Sequence, residues 1–432
     1  MAVRAGVRQR LRALRVDLTP LRTSRDFRIL WLAGTAFYLG GMVGYVAVPF
    51  QVYHLTGSNL LVGAVGIVEL VPLLAFGLWG GAVADHWDRR RVLVVTGVLQ
   101  VVLTSVLAVN AFARQPHLGV IFVVAGFLAA AGAVQRPSRE ALLPRTVTHE
   151  EIPAANALSM LGMQVGRLAG PTVGGLLLAS VGAGWCYTVE VCGLLAATAL
   201  FLGLSAYPHR GVTTPVSIAG IVEGMRYAVR RRDLLGTYLV DVVCMFLAMP
   251  VVLFPALAQE VLRQPQVLGL LYSAETLGAV VASAMSGWAV RAHRHGAIVV
   301  CAAAAYGAFI GLAGLAPTAV GVILALTAAG AADMVSGMFR GILWNQTIPE
   351  TMRGRLAGIE MLSYSVGPLG GQVRAGFVAD RWSVRGSIAS GGAACVVGVL
   401  LTAVWLRDFW RYDNRTDPYA LAERAARGGA PA

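Results

Sequence analysis

Lysine is absent from this 432-residue chain, and all 35 basic residues are arginine. A phosphate-cradling Gly-x4-Gly-Lys-Ser/Thr loop is therefore impossible, and no nucleotide-hydrolysing domain is expected. Charge of either sign is scarce, with 13% of residues charged against 57% hydrophobic. An ordinary soluble domain carries roughly 25%. A soluble chain of this length would split into domains with polar surfaces, and there is too little charge here to cover them. The five cysteines (Cys186, Cys192, Cys244, Cys301, Cys395) all lie in apolar runs without metal-type spacing. They read as small buried hydrophobes with no disulfide framework. His293-x-His295 sits in a basic loop without carboxylate or Cys partners, so neither a metal nor a cofactor is expected.

What the chain holds instead is long uncharged stretches. Ile29–Val68, Val92–Ala113, Leu168–Val189, Val242–Gln259 and His295–Ala332 contain no Asp, Glu, Lys or Arg. A membrane-crossing helix needs about 20 predominantly apolar residues, so these are spans, some doubled across a turn. Turn residues and charges divide the apolar mass into twelve spans, at 27–54, 59–85, 91–113, 118–136, 153–181, 185–206, 233–260, 266–290, 297–315, 317–345, 355–381 and 386–407. The 51 glycines suit helices that pack closely in lipid. The expected fold is all-α and polytopic. It has a basic segment at 1–26, a six-helix bundle at 27–206, a polar connection at 207–232, a second bundle at 233–410 and a tail at 411–432. The first apolar stretch is too long for a signal-peptide core and reads as an uncleaved helix.

The net charge of +13 does not point to nucleic acid, because the arginines cluster between the hydrophobic runs. That is what anionic inner-leaflet lipid and the positive-inside rule require. With a cytoplasmic N-terminus, 29 arginines fall on the cytoplasmic side and four on the other (Arg114, Arg263, Arg381, Arg385), while Arg167 and Arg374 remain within spans. Both termini are thus expected in the cytoplasm of a monomeric cell-membrane protein whose partners are lipids and a small molecule. Within 207–232, Thr214 can cap and Pro215 can start a helix. Ile218, Ile221, Val222, Met225 and Val229 then give it an apolar face. Residues Asp413–Ala432 read as a loose polar tail.

The two halves repeat. Val62-Gly63, Glu69 and Gly81 recur as Leu268-Gly269, Glu275 and Gly287. Val165-Gly166-x-Leu168-x-Gly170-x4-Gly175 recurs as Val366-Gly367-x-Leu369-x-Gly371-x4-Gly376. Parallel six-helix repeats are the build of a transporter that rocks about a central site. Charges inside spans are costly, and are either paired or functional. Glu69 and Glu275 lie about 15 Å in from the outer surface, and Asp241 about 12 Å in from the cytoplasmic one, at the helical rise per residue. Asp333 and Arg340 lie in the inner part of span ten. Each acid has two readings, a structural ion pair or a proton-coupling site reset by changing access. Depth ranks Glu69, Asp241 and Glu275 first for coupling, with Asp333 also a candidate. Arg167, Arg340 and Arg374 are the ion-pair and gating candidates. Glu190, near the outer end of the sixth span, reads as structural. Tyr38, Tyr45, Phe50, Phe246 and Phe254 suit a cavity for bulky amphipathic molecules, or equally a core or lipid-facing position.

Span five carries Gly162, Gly166, Gly170 and Gly174 every four residues, with Pro171 and Gly175 interleaved. Such a stripe lets another helix backbone approach, and Pro171 removes an internal hydrogen bond and can kink the helix. The stretch Gly166-Arg167-Leu168-Ala169-Gly170-Pro171-Thr172-Val173-Gly174-Gly175 resembles the antiporter motif of major facilitator superfamily exporters. Gly81-x3-Asp85-His86-Trp87-Asp88-Arg89-Arg90-Arg91 resembles the superfamily's loop between spans two and three. It matches at Gly81, Asp85, Arg89 and Arg90 and departs at His86 and Asp88. This resemblance implies a cytoplasmic latch, with Asp85 facing the positive N-terminus of span eleven. The second-half copy, Gly287-x3-Arg291, is degenerate. Phe27-Arg28-Ile29-Leu30-Trp31-Leu32, Ala141-Leu142-Leu143-Pro144-Arg145 and Gly330-Ala331-Ala332-Asp333-Met334-Val335-Ser336 resemble the enterobactin-exporter group, which is related to macrolide-efflux proteins. The likeness covers roughly 25–410.

That group implies proton-driven export of siderophores or drugs. An importer or a non-transporting sensor of the same fold is the alternative function, and sodium the alternative coupling ion. A membrane enzyme would need clustered catalytic His, Asp or Ser at one face, which the sequence lacks. Superfamily helix order puts span two against eleven and five against eight. It predicts Glu69–Arg374 and Glu275–Arg167 pairs in a state open to the cytoplasm.

Overall fold

A computed structural model describes residues 17–86, 88–207 and 218–426, apart from side chains in 77–86, 218–222 and parts of 350–364. No strand occurs among the described residues. The long helices, in chain order, are α1 Arg25–Thr56, α2 Asn59–His86, α3 Arg89–Phe112, α4 Leu118–Leu142, α5 Ile152–Ser180, α6 Ala183–Leu202, α7 Arg232–Leu247, α8 Leu268–Ala284, α9 His295–Leu315, α10 Ala319–Thr347, α11 Glu350–Arg381 and α12 Val384–Trp405. Among the described residues, ten helical stretches are long and apolar enough to cross a membrane. The two long helices outside that set, α5 and α11, run 29 and 32 residues. Their glycines and charges shape the seams described below.

Helix ends follow local chemistry. Ser24 caps α1 by accepting from Phe27 N at 3.0 Å, and Gly57 closes that helix at φ 64°, a left-handed conformation that suits glycine. Asp88, where the loop motif has glycine, caps α3 by accepting from Arg91 N at 3.2 Å. Its departure from the motif thus starts a helix.

Helices α1–α6 pack among themselves and α7–α12 do the same, with α2–α11 and α5–α8 as the principal long-helix seams between the halves. Glycines set both kinds of contact. On α5, a Cβ at Gly162 would lie 2.6 Å from Thr35 Oγ1, at Gly166 2.8 Å from Tyr38 Cβ, at Gly170 3.1 Å from Leu39 O, and at Gly174 3.0 Å from Val43 O. The four-residue stripe is therefore the bed of α1. Gly175, one position round, meets the backbone of Gly269 on α8 instead. The second half repeats this: Gly367 and Gly371 of α11 lie on α7, while Gly376 meets Asn59 and Leu60 of α2. The helix runs through Pro171 without a break.

Three expectations need correction. Span seven stands as one apolar crossing, Arg232–Val261, but not as one regular helix. α7 ends at Leu247, and the chain continues as short turns, Val251–Leu253, Phe254–Ala256 and a wide turn Leu257–Val261. Pro250 and Pro255 supply no N–H and clash with the preceding turn, so a straight helix cannot pass them. The carbonyl freed at Ala248 is taken up by Tyr306 OH at 3.1 Å. Span eight leaves α geometry at Ala284 and finishes as a tighter turn, Ser286–Arg291. The tail is also not loose throughout: Pro418–Ala426 is helical, Tyr419 lies under the Arg231 guanidinium at 3.4 Å, and Asn414 N donates to His293 O at 3.1 Å. The connecting helix spans Ile218–Arg230; Thr214 and Pro215 lie outside the described residues.

One end of the bundle, here the termini face, carries the described segments nearest the two termini, Thr19–Thr23 and Pro418–Ala426, and the connecting helix; the other is the far face. Several hydrogen bonds between described residues join the halves between the far face and mid-depth. Tyr53 OH donates to Glu260, Thr172 and Ser273 hydroxyls meet at 2.9 Å, and Ser273 Oγ donates to Leu168 O at 2.9 Å. Asp380, at the end of α11, binds the start of α2, accepting from Ser58 Oγ at 2.7 Å, Asn59 N at 2.9 Å, Asn59 Nδ2 at 3.0 Å and Leu60 N at 3.0 Å. The molecule is closed at the far face.

Candidate functional site

Beneath that closed face a cavity of about 250 Å3 is lined by Phe37, Tyr38, Tyr45, Glu69, Glu190 and Gln372, with Val251 and Val252 among its other walls. The break after α7 brings the two valines there. Glu69 comes from α2, three residues before Pro72. Glu190 arrives from α6 because α1 presents glycine to it: a Cβ on Gly44 would lie 2.6 Å from Glu190 Cδ, and one on Gly40 3.4 Å from Glu190 Cα. Neither carboxylate has a hydrogen-bond or ion-pair partner among the described residues. Charge left alone in an apolar wall costs several kcal/mol, so each acid can change its charge only together with a proton or a cation.

Tyr45 stands where the halves' acids converge, within electrostatic reach of Glu69, Glu275 and Arg167. Its ring meets Tyr272 edge-on at 5.8 Å, and Tyr272 meets Phe254 at 5.1 Å. The repeat-related Glu69 and Glu275 thus both lie within electrostatic reach of one tyrosine. Glu275 Oε1 is buried without a hydrogen-bond partner among the described residues, and its carboxylate feels Asp333 and Arg167. Arg167 is itself exposed.

Asp241 takes the ion-pair reading: it pairs with Arg340, both are nearly fully buried, and Ser363 Oγ donates to the same carboxylate at 2.7 Å. This ties α7, α10 and α11 together. Asp333 lies within electrostatic reach of that pair. Neither expected cross-half pair forms. Arg374 turns to α12, where the missing side chain of Gly391 leaves room and a Cβ would sit 2.7 Å from its Nη2, while its Nε stays buried without a partner among the described residues. Arg167 reaches Glu275 only at range; starting deeper along its helix, it falls short of contact.

Of the aromatic candidates, Tyr38 and Tyr45 line the cavity and Phe50, Phe246 and Phe254 do not. Phe254 is core, 1% exposed; Phe50 stacks on His54 at 5.9 Å; Phe246 packs on Gly370 and Gly371. In the loop motif Arg89 donates to Ala141 O at 2.9 Å and Arg90 to Leu202 O, binding the start of α3 to the ends of α4 and α6. Gly81 and Asp85 fall in the helical run of α2, but their side-chain surroundings lie outside the described residues. His295, which the sequence pairs with His293, is buried against Phe339 and Tyr412.

Sequence reasoning missed Glu190 as a cavity residue and Asp380 as a latch. Both left signals. Gly40 and Gly44 mark a face of α1 that something must fill, and Gly376-x3-Asp380-Arg381 repeats the Gly-x3-Asp spacing of the loop motif.

A sequence-family model described as a transmembrane secretion effector matches residues 16–417. The enterobactin exporter EntS of Shigella boydii serotype 4 (strain Sb227) is 28% identical over 394 residues, covering 90% of this chain and 94% of that one. EntS of Escherichia coli (strain K12) is 27% identical over 412 residues, covering 94% and 98%. The crystal structure of a bacterial homologue of the human lysosomal transporter Spinster, inward-facing and unoccupied, superposes with TM-score 0.67 at 16% identity over 94% of this chain and 98% of that one. A bacterial homologue of the iron transporter ferroportin, also inward-facing, superposes with TM-score 0.67 at 15% identity, covering 89% and 98%. At such identities the structures speak for the fold alone.

Proposed function

We infer the function from one premise: this chain belongs to the transmembrane secretion effector family, within the major facilitator superfamily. It is a membrane transporter and not an enzyme. Its substrate on our reading is a small amphipathic molecule of the siderophore class, carried out of the cytoplasm across the cell membrane by alternating access and proton antiport. The relatives' role as enterobactin exporters favours a siderophore over a drug. The 29-to-4 arginine bias supports a cytoplasmic termini face. The bundles at 27–206 and 233–410 are then the rocking units, in a protein that works as a monomer.

One observation carries the coupling: Glu69 and Glu190 face a single cavity without a counter-ion among the described residues. With the far face sealed, water and protons reach them only from the cytoplasmic side; rocking exchanges that access for the outer one. A carboxylate whose charge has no partner is the group for which this exchange matters. Asp241, with its charge matched by Arg340, is held as a structural tie.

The test is substrate accumulation in cells expressing the protein, with a protonophore added while ATP is held constant. Accumulation should rise, and Glu69→Gln should raise it to the same level without further response to the protonophore. Efflux that continues unchanged after the proton gradient collapses would defeat proton antiport, and efflux that follows an imposed sodium gradient instead would assign sodium.

A further inference from the structure

A second chamber of about 230 Å3 opens nearer the termini face, between α1, α4 and α5. Its walls include Trp31, Tyr38, Arg139, Asn156, Ser159 and Met160. Tyr38 also lines the central cavity, so the two spaces share a wall. Arg139 bridges the helices here. Its Nη2 donates to Tyr38 OH at 2.7 Å, and its guanidinium carbon lies 4.8 Å from the Tyr38 ring centre and 5.2 Å from that of Phe37. The two rings stand edge to face, 5.8 Å apart.

Among the described residues this cation has no carboxylate partner. Glu140 reaches the same chamber, but it is held by Arg136 at 2.8 Å on the preceding turn. The aromatic rings fix the guanidinium, leaving Nε and Nη1 with no hydrogen bond to a described residue. Asn156 and Ser159 add side-chain donors that have no described partner either. Trp31 is already engaged, its Nε1 donating to Leu158 O at 2.8 Å, and so offers its ring alone. Free donors around one fixed positive charge, with aromatic and thioether faces beside them, are the features that recognise a flat anion. The volume falls short of the roughly 300 Å3 at which pockets for whole drug-sized molecules begin, so it suits one group of a larger molecule.

We propose that this chamber is a subsite for an anionic aromatic group of the exported molecule, an aryl carboxylate or phenolate, with Arg139 as its charge-reading residue. The proposal rests on the export reading above and deepens it. An anion held at Arg139, on the cytoplasmic side of the acids, keeps its charge away from Glu69 and Glu190. The substrate can then load without competing for the coupling site.

The probe is salicylate, with the neutral salicylamide as its match in shape. Binding is followed by tryptophan emission of the purified full-length protein in neutral detergent, without any gradient, so failure here is separable from failure of proton coupling. Salicylate should bind at least tenfold tighter than salicylamide. Arg139→Gln should remove that preference while leaving salicylamide affinity unchanged, and Arg139→Lys should keep part of it. If Arg139→Gln does not fold, Asn156→Ala, on the exposed wall, should weaken salicylate about threefold and leave the amide alone. Equal affinities for acid and amide would overturn the proposal. So would a tenfold preference that survives Arg139→Gln, an unaltered salicylate affinity in Asn156→Ala, or a preference abolished by added anionic lipid, which would make the chamber a headgroup site.

Discussion

Removing the Asp380 carboxylate should shift the transporter toward its outward-open state. In the closed state that group accepts four hydrogen bonds from Ser58, Asn59 and Leu60, and it sits on the positive end of α2. Losing a side-chain acceptor at a helix start costs about 0.5–2 kcal/mol, and an acid at the same end contributes about 0.3–1 kcal/mol through the helix dipole. Because Asp380 is exposed, the low part of the combined range applies, about 1–2 kcal/mol, which moves a two-state equilibrium about 5–30-fold. Val62, 1% exposed beneath the seal, reports the opening. With the native cysteines replaced by alanine, Val62→Cys should react with a membrane-impermeant maleimide added outside about 5–30 times faster when Asp380→Ala is present. Asp380→Asn, which keeps an acceptor oxygen, should fall between. A labelling rate within twofold of the parent would refute the assignment of Asp380 as a latch.

Asp85→Asn should impair transport while leaving the protein inserted, and should slow Val62→Cys labelling, since the motif assigns Asp85 to the opposite face; wild-type turnover would show that the altered loop no longer latches. Gly269→Ala should speed the same labelling without lowering the melting temperature, because its Cβ would lie 2.9 Å from Thr172 Cα across the seam between halves; unchanged labelling would mean the seam yields elsewhere. Asp241→Ala should destabilise the second half by about 3–5 kcal/mol by leaving Arg340 without its carboxylate. Adding Arg340→Met should recover most of that loss, as read from thermal unfolding.

The sequence made the helix order, the repeat and the seams legible for a shared physical reason. Apolar length defines a span, and a glycine records where a neighbouring backbone lies. Gly175 and Gly376, offset by one position from their stripes, even distinguish the cross-half contact from the within-half one. Side-chain pairing was less legible. Depth along a helix placed Glu69 within about 5 Å of Arg374 but carried no information on azimuth, and Gly391 drew the arginine away to α12. Glu190 reads as structural from its place near the outer end of the sixth span, yet Gly40 and Gly44 on α1 open a path from α6 to the cavity. Pro250 was in plain view, but the apolar run continues past it, and composition alone could not mark the break that brings Val251 and Val252 into the site.

The two latches make a last, stricter prediction. α11 ends in Asp380, which caps α2 at the far face; α2 ends near Asp85, which the loop motif assigns to the start of α11 at the other. Each helix thus carries an acid for the other's positive end, and rocking of the halves cannot hold both ends of the α2–α11 seam closed at once. The two contacts therefore bias one equilibrium in opposite directions. They stand at opposite ends of a seam that α2 crosses in 28 residues, about 40 Å at the helical rise, so their free energies should add. Asp85→Asn combined with Asp380→Ala should then return Val62→Cys labelling to within about threefold of the parent, since opposed shifts of about 1–2 kcal/mol largely cancel. Transport in the double variant should recover relative to either single variant. If the double variant labels as fast as Asp380→Ala alone, Asp85 does not act on this equilibrium, and the seam is governed from the far face only.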